Sequence, residues 1–514
     1  MRRLAPLFTL SVLAGLTGSA RAEEKASGEP FVLCPPEAHP KRPIYRSHEL
    51  KAALERRDFD RVEAIYAELK RSPRSPGVHA SRFVDYQLAF DHTAFLPTFD
   101  AWVAAKPRSS PAHTSRAAAR VSWAWEARGS GWAKDVSEQA WATFRERLEL
   151  ALADVERAME LDPTNHAAPA AGITVAMGLS LGRDVAQRFL VAAEAADPGE
   201  TFAHRKMLTF LQPRWFGEPG ELVAFARKAV RDRPDEPSRG LLLLDAHRYV
   251  SYDRGEAYLR QREVVAEVVP ALDRVNEAYP KSTYAWRTAA EYLMAIGAFD
   301  RACVKLERAA ELEDFQAWAL LAGLLYQGIG CAPERRRAIR LSCQAAHEGV
   351  YEGMAWLALA LLTGDEGLTP DVEAAITWAT RSVEHGLPHG KYVLGWALAE
   401  HRPGERGRGR ALVEEAAKAG HTDAGGLLGL WLVRDGDVRQ GLALLQRAAN
   451  GHGSRAQLEL GKLCQDGAPG IKRNPKTAVV LFRQAAARGE REAARQLERL
   501  LAEHPELGTP GQGR

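Results

Sequence analysis

The chain has 514 residues, 46% of them hydrophobic, with 69 basic against 66 acidic side chains. That length accommodates two or three domains. So even a balance excludes a general electrostatic attraction to nucleic acid or anionic lipid. Ala and Leu dominate while strand-forming runs of Val, Ile and Thr are scarce, so an all-α fold is expected.

The chain opens on a targeting pattern. Arg2 and Arg3 precede an apolar stretch, Leu4 to Leu16, that is short for a bilayer span, and Ala20-Arg21-Ala22 places small residues where a signal peptidase reads. Cleavage before Glu23 is expected, with an uncleaved anchor as the alternative. Residues 1–22 hold Arg2, Arg3 and Arg21 and no acid, so their removal leaves 66 basic against 66 acidic residues. The mature part contains no 18-residue apolar run. An exported protein, periplasmic or secreted, with no integral membrane segment is the expectation.

Residues 23–46 are Pro-rich and read as an extended lead-in. Helical patterning begins at Ser47, a plausible N-cap, and continues through a helical domain to residue 280. Within it, Leu148 to Met159 carries apolar residues at helical spacing, followed by Asp162-Pro163. Proline disfavours helical geometry in the residue before it, so this pair ends one helix and permits another to begin. The same punctuation recurs at Asp197-Pro198 and Tyr279-Pro280. Residues 281–316 form the best tetratricopeptide-type copy, with Tyr292-Leu293 on one helix and Ala302–Ala310 on the next.

From residue 317 to 503 a degenerate unit recurs, and residues 504–514 read as a frayed tail. Each unit closes on a pattern such as Ala345-Ala346-His347-Glu348-Gly349, Ala416-Ala417-Lys418-Ala419-Gly420 or Ala485-Ala486-Ala487-Arg488-Gly489. Upstream, a small residue interrupts an apolar helix at Gly323, Ala358, Gly395, Gly429 and Gly461, with spacings of 35, 37, 34 and 32 residues. A period of that size with two helical patterns per copy is the mark of a helical-repeat solenoid. The small residue is expected to let the second helix of each pair pack close, and the closing glycine to supply a left-handed cap. Two endings depart from the pattern, at Arg381–Gly386 and at Asn450-Gly451-His452.

These residues resemble Sel1-like repeats, a variant of the tetratricopeptide architecture with a longer turn. The best-formed turn glycines are Gly328 and Gly330, with Gly467 and Gly470 in the last copy; the third and fourth copies have short turns, at Arg402–Gly409 and Asp435-Gly436-Asp437. The resemblance implies a right-handed superhelix, preceded here by an all-helical domain, and a role in protein–protein contact, frequently in bacterial envelopes. Residues Ala127–Trp132, the Trp141–Ala158 helix and Leu211–Gly217 leading into Phe225-Ala226-Arg227 are similar to an uncharacterised bacterial domain of exported proteins. That likeness brings no known activity.

No H-E-x-x-H, C-x-x-C or phosphate-cradling G-x-x-x-x-G-K occurs, and Gly129-Ser130-Gly131 lacks the spacing and strand of a nucleophile turn. Neither catalysis nor a cofactor is expected. His385, His389 and His421 sit at repeat ends, where a helix C-terminus favours a cation, and they lack metal-ligand spacing. Arg402, Arg406, Arg408 and Arg410 have no interleaved aromatics and read as a solvated loop to which an acidic partner segment could dock. Of five cysteines, Cys331 lies in a loop and Cys343 well up the next helix, too far apart to bond. Cys303, on the same edge as Cys331, is the better partner, with free thiols as the alternative.

Two groups of residues are candidates for partner binding. Trp123, Trp125, Trp132, Trp141 and Trp215 are either core or, with Arg128 and Arg214, the lining of a pocket for an extended ligand. In the repeats the concave face is the expected surface, with Tyr326, Tyr392 and Trp396 as candidates or as packing between repeats. The sequence reads as a non-enzymatic protein- or peptide-binding scaffold or adaptor of the bacterial envelope. An envelope hydrolase acting through the N-terminal domain, or a secreted effector, is the alternative.

Overall fold

The computed structural model describes residues 47–71, 92–129, 131, 133–199, 201–364, 368–451, 453–468 and 470–507, and the described residues are helical with short turns. The targeting segment, the lead-in, Cys34, Trp132 and residues 508–514 lie outside them. Two compact units divide at Ala285/Trp286.

The first unit runs through α1 (Ser47–Glu55), α2 (Phe59–Arg71), α3 (His92–Ala105), α4 (Ser110–Arg128), α5 (Glu138–Leu161), α6 (Ala167–Gly178), α7 (Arg183–Ala196), α8 (Phe202–Phe210), α9 (Glu221–Asp232), α10 (Gly240–Arg254) and α11 (Arg262–Ala278). Serines start its longest helices. Ser109 accepts from the Ala112 amide at 3.1 Å and Ser137 from the Ala140 amide at 3.2 Å, satisfying donors that have no intrahelical partner. The Asp-Pro pairs end helices as expected: α5 stops at Leu161 with Asp162 extended, and α7 at Ala196 with Asp197 extended.

One carboxylate ties α4 to α5. Asp154 accepts from His113 Nδ1 at 2.9 Å, from Arg116 at 2.6 and 2.9 Å, and from Arg120 at 2.7 Å, and its side chain is 3% exposed. A buried charge is tolerable only when so engaged. Asp154→Ala would leave Arg116 and Arg120 only their longer contacts to half-exposed Asp100, at 3.2 and 3.5 Å, and the Leu150 carbonyl for Arg120, and is expected to cost up to about 3–5 kcal/mol, read as a lower midpoint in chemical denaturation. An unchanged midpoint would show that the tie contributes nothing.

The second unit begins in α12 (Thr283–Ala295) and α13 (Phe299–Glu311). Pairs follow: α14 (Phe315–Gln327) with α15 (Arg335–His347), α16 (Tyr351–Thr363) with α17 (Val372–Val383), α18 (Pro388–His401) with α19 (Arg406–Lys418), α20 (Thr422–Arg434) with α21 (Val438–Asn450), and α22 (Ser454–Asp466) with α23 (Pro475–Ala487). The half-unit α24 (Arg491–Glu503) ends the array. Gly349, Gly386, Gly420 and Gly489 all close a helix at positive φ, whereas Gly451, one place early, has φ −76°. Cys303 and Cys331 are joined in a disulfide with Cα atoms 6.1 Å apart, and Cys464 is a free thiol.

Two expectations change. The small residues do not all serve the same contact. Gly395 lies so close to the Gly409 carbonyl that an added Cβ would sit 2.6 Å from it, and Gly429 stands 2.7 Å from that of Gly441 by the same measure. These are backbone-to-backbone contacts within a pair. Gly323 instead makes room for the Trp356 ring of the next repeat, and Gly461 for the ring of Phe482. The basic stretch is also not a loop. Only Arg402–Glu405 form the turn, and Arg406, Arg408 and Arg410 are already in α19, because Gly409 is needed where that helix crosses α18.

A side chain at Gly441 would meet the Gly429 carbonyl at 2.6 Å, so Gly441→Val is expected to destabilise the repeats by about 1–3 kcal/mol. Gly425, in the same helix as Gly429, has open space, and Gly425→Ala should stabilise by about 0.8–1 kcal/mol. Thermal melts that moved in the same direction for both would contradict this account.

Candidate binding groove

The first helices of the pairs touch one another along the array: α14 lies on α16, α16 on α18, and α20 on α22. Aromatic contacts mark the row. Tyr326 packs on Trp356 at 5.3 Å between ring centroids, and Trp356 on His389 at 4.2 Å. Between α18 and α20 the backbones make less contact, and side chains hold the pair instead. At the N-terminal ends His389 meets His421 at 3.0 Å. At the C-terminal ends the Trp431 indole donates to Glu400 at 2.8 Å.

The gap holds a cavity of about 290 Å³. Its apolar lining is Tyr392 and Trp396 from α18 and Leu427 and Leu430 from α20. Arg455 and Glu459 of α22 form the other wall. Arg455 lies over the Trp396 ring, 5.4 Å from its centroid, and pairs through Nε with Glu459 at 3.3 Å.

Hydrogen bonding fixes the histidine tautomers. His421 caps α20, accepting the Ala424 amide at Nδ1, so in the neutral ring its proton sits on Nε2 and is donated to His389 Nδ1. His389 then carries its proton on Nε2, which is buried and has no partner. Burial holds His421 down to about 4, and burial together with the neighbouring ring holds His389 well below the usual range. This corrects the expectation of cations at helix C-termini: His389 and His421 stand at helix N-terminal ends and are neutral. Asp423, one turn from the cap, is raised to about 6 by burial, an effect Arg455 partly offsets.

The array curls until its end meets its start. Arg335 pairs with Glu490 at 3.6 Å, and a Cβ on Gly489 would touch Pro333 at 3.1 Å. The concave face is therefore less open than its sequence pattern implies. Tyr326 is 9% exposed, under Arg335 and against Trp356, and Tyr392 is 3% exposed. Of the three repeat aromatics singled out from sequence, half-buried Trp396 faces the groove with Tyr392 beneath it, while Tyr326 packs between repeats. Leu427, Leu430, Arg455 and Glu459 were not anticipated. The i, i+3, i+7 spacing of Leu427, Leu430 and Arg434 was the available signal.

In the first unit Trp125, Trp141 and Trp215 form a half-buried cluster, whereas Trp123 lies under Arg147, 3.6 Å from its ring centroid. Trp125 packs edge-on against Phe144 at 4.9 Å and Trp215 at 5.6 Å, and Trp141 against Phe144 at 5.6 Å. Arg128 lies over both Trp125 and Trp141, at 5.5 and 5.1 Å, and donates to the Gly129 and Gly131 carbonyls. Arg214 is exposed in the turn before Trp215. The same unit contains a relay invisible in sequence, in which His247 lies 2.8 Å from the Tyr258 hydroxyl and 3.0 Å from Glu267. Arg227 pairs with Glu267 at 2.7 Å, which fixes that carboxylate in an ion pair.

The sign of each shift sets a pH test. The unfolded chain takes up the His421 proton near 6.5 and the folded chain near 4, so stability from the neutral ring is present above 6.5 and lost as pH falls to 4. Asp423 acts oppositely, since its folded form holds a proton between 3.8 and 6 and is ionised at a cost above that window. Asp423→Asn is expected to stabilise by on the order of 1 kcal/mol at pH 8, and by less at pH 5. Melting temperatures showing equal gains at both values would contradict the assignment.

Comparison with known proteins fits this architecture. Residues 319–350, 352–387 and 454–490 match the Sel1 repeat, and residues 48–183 match a domain of unknown function (DUF4034). No curated protein matches the chain. Among solved structures, a Sel1 repeat protein from Oxalobacter formigenes is 17% identical, covering 48% of this chain and 96% of its own, with a TM-score of 0.30. A protective antigen of uropathogenic Escherichia coli with an SLR fold is 18% identical over 82% of this chain and 98% of its own, at 0.33. A putative Sel1 repeat protein from Klebsiella pneumoniae is 22% identical over 38% and 98%, at 0.28.

Proposed function

We propose that this chain of Sel1 repeats and a DUF4034 domain is a non-enzymatic scaffold of the bacterial envelope that captures a protein or peptide in the repeat groove. The observation that carries the reading is the cavity between α18, α20 and α22, with its apolar floor of Trp396, Leu427 and Leu430. Helical-repeat proteins use such inner surfaces to hold extended partners. The signal-like residues 1–22 support export, after which the mature chain would begin at Glu23.

The test places a photo-crosslinking residue at Leu430, or at exposed Leu181 of the first unit as control, in the full chain in cells. A defined adduct from position 430 that disappears with Trp396→Ala is expected. Adducts from position 181 alone would transfer the binding role to the first unit. Fractionation with N-terminal sequencing should find Glu23 as the first residue outside the cytoplasm, and a cytoplasmic chain retaining Arg2 and Arg3 would overturn export.

A further inference from the structure

The groove carries information about what it holds. From Tyr392 to Glu400 it follows nine residues of α18, about 12 Å of helix, which matches about four residues of extended chain. Its centre is apolar and its ends are charged. At one end Arg455 is held twice, by the Trp396 ring and by Glu459 at Nε, so its Nη edge remains available. The arginine side chain is 47% exposed, while Glu459 is 14% exposed and shared with Lys462 at 3.5 Å. At the other end Arg434, 59% exposed, stands 3.8 Å from Glu400, which already accepts the Trp431 indole. In each of these ion pairs the guanidinium is the more exposed partner, 47% against 14% for Arg455 and Glu459 and 59% against 38% for Arg434 and Glu400.

We infer that the groove recognises an extended acidic–apolar peptide segment. An apolar side chain rests on Trp396, Leu427 and Leu430, and a carboxylate takes the free edge of Arg455. This deepens the scaffold reading and rests on it. A guanidinium whose plane is already fixed loses little freedom on forming a two-point hydrogen bond to a carboxylate. A lysine-bearing segment would meet the positive, more exposed member of an ion pair at both ends. Asp423 and Glu490 temper Arg455 from the Tyr392 end, which limits the preference to that of a single charged contact.

The experiment is fluorescence anisotropy on the full mature chain with three labelled probes. One has a Leu-Phe-Leu core flanked by glutamates with an amidated end, one is its lysine counterpart, and one is the core with a free C-terminal carboxylate. The glutamate or the free-carboxylate probe should bind about tenfold tighter than the lysine probe, the effect of one hydrogen-bonded charge. Which of the two binds identifies the carboxylate as side-chain or terminal. Arg455→Gln should abolish the preference, Arg455→Lys keep part of it, and Leu430→Asp weaken every probe, with melting curves confirming that each variant folds. Lysine binding equal to or tighter than glutamate, or a preference that survives Arg455→Gln, overturns the inference. If no probe binds while position 430 still crosslinks partners in cells, the acidic–apolar chemistry is wrong and the scaffold reading stands. If those crosslinks are absent too, both fall.

Discussion

Two glycine contacts govern the middle of the repeat array. Where Gly395 meets Gly409 and Gly429 meets Gly441, the paired helices run backbone against backbone, and any side chain at these positions would occupy the carbonyl of the other helix. Such an approach draws α19 onto α18 and α21 onto α20 more tightly than the other pairs of the second unit are drawn together. The gap between α18 and α20, bridged only by side chains, opens between the two glycine-tight pairs, and this gap is the groove. The two pairs meet through α19 and α20, which leaves the space between α18 and α20.

The chemistry of the gap follows from what can bridge it. A histidine pair works at the N-terminal ends because the α20 cap fixes one tautomer and thereby the other. A protonated pair at 3.0 Å would place like charges together in a poorly hydrated corner, so burial and neutrality reinforce each other. At the C-terminal ends an indole–carboxylate bond holds the helices without filling the space between them. The two units treat tryptophan and arginine differently. Arg128 covers Trp125 and Trp141 and is itself tied to backbone carbonyls, which closes that cluster. Arg455 lies on Trp396 with half its side chain exposed, which leaves its outer edge open to solvent.

Much of this architecture was legible in the sequence, because periodic glycines and Asp-Pro pairs act locally. The closing glycines at positive φ and the helix ends at Asp162 and Asp197 needed no knowledge of the rest of the chain. The Cys303–Cys331 bond was legible for a similar reason, since helix rise alone excludes Cys331 from Cys343. Arg406–Arg410 misled because glycine signals a loop and a close helix crossing with the same letter. His389 and His421 misled because a repeat end is both the C-terminus of one helix and the N-terminus of the next, whereas His385 does follow the C-terminus of α17. The groove itself was only half visible. Trp396 and Arg455 are 59 positions apart in the chain, and no local pattern announces that one will lie on the other.

A cavity of about 290 Å³ that admits about four extended residues cannot by itself supply tight binding. Ordering an extended peptide costs free energy for every residue immobilised, and only one apolar anchor and one charged contact offset that cost here. A scaffold built on such a groove gains strength by repetition. If the partner presents several short segments, or several copies of this chain are gathered together, the later contacts form at the high effective concentration set by the first. Shallow, individually weak recognition then becomes selective, because a solitary segment exchanges rapidly while a clustered one is retained.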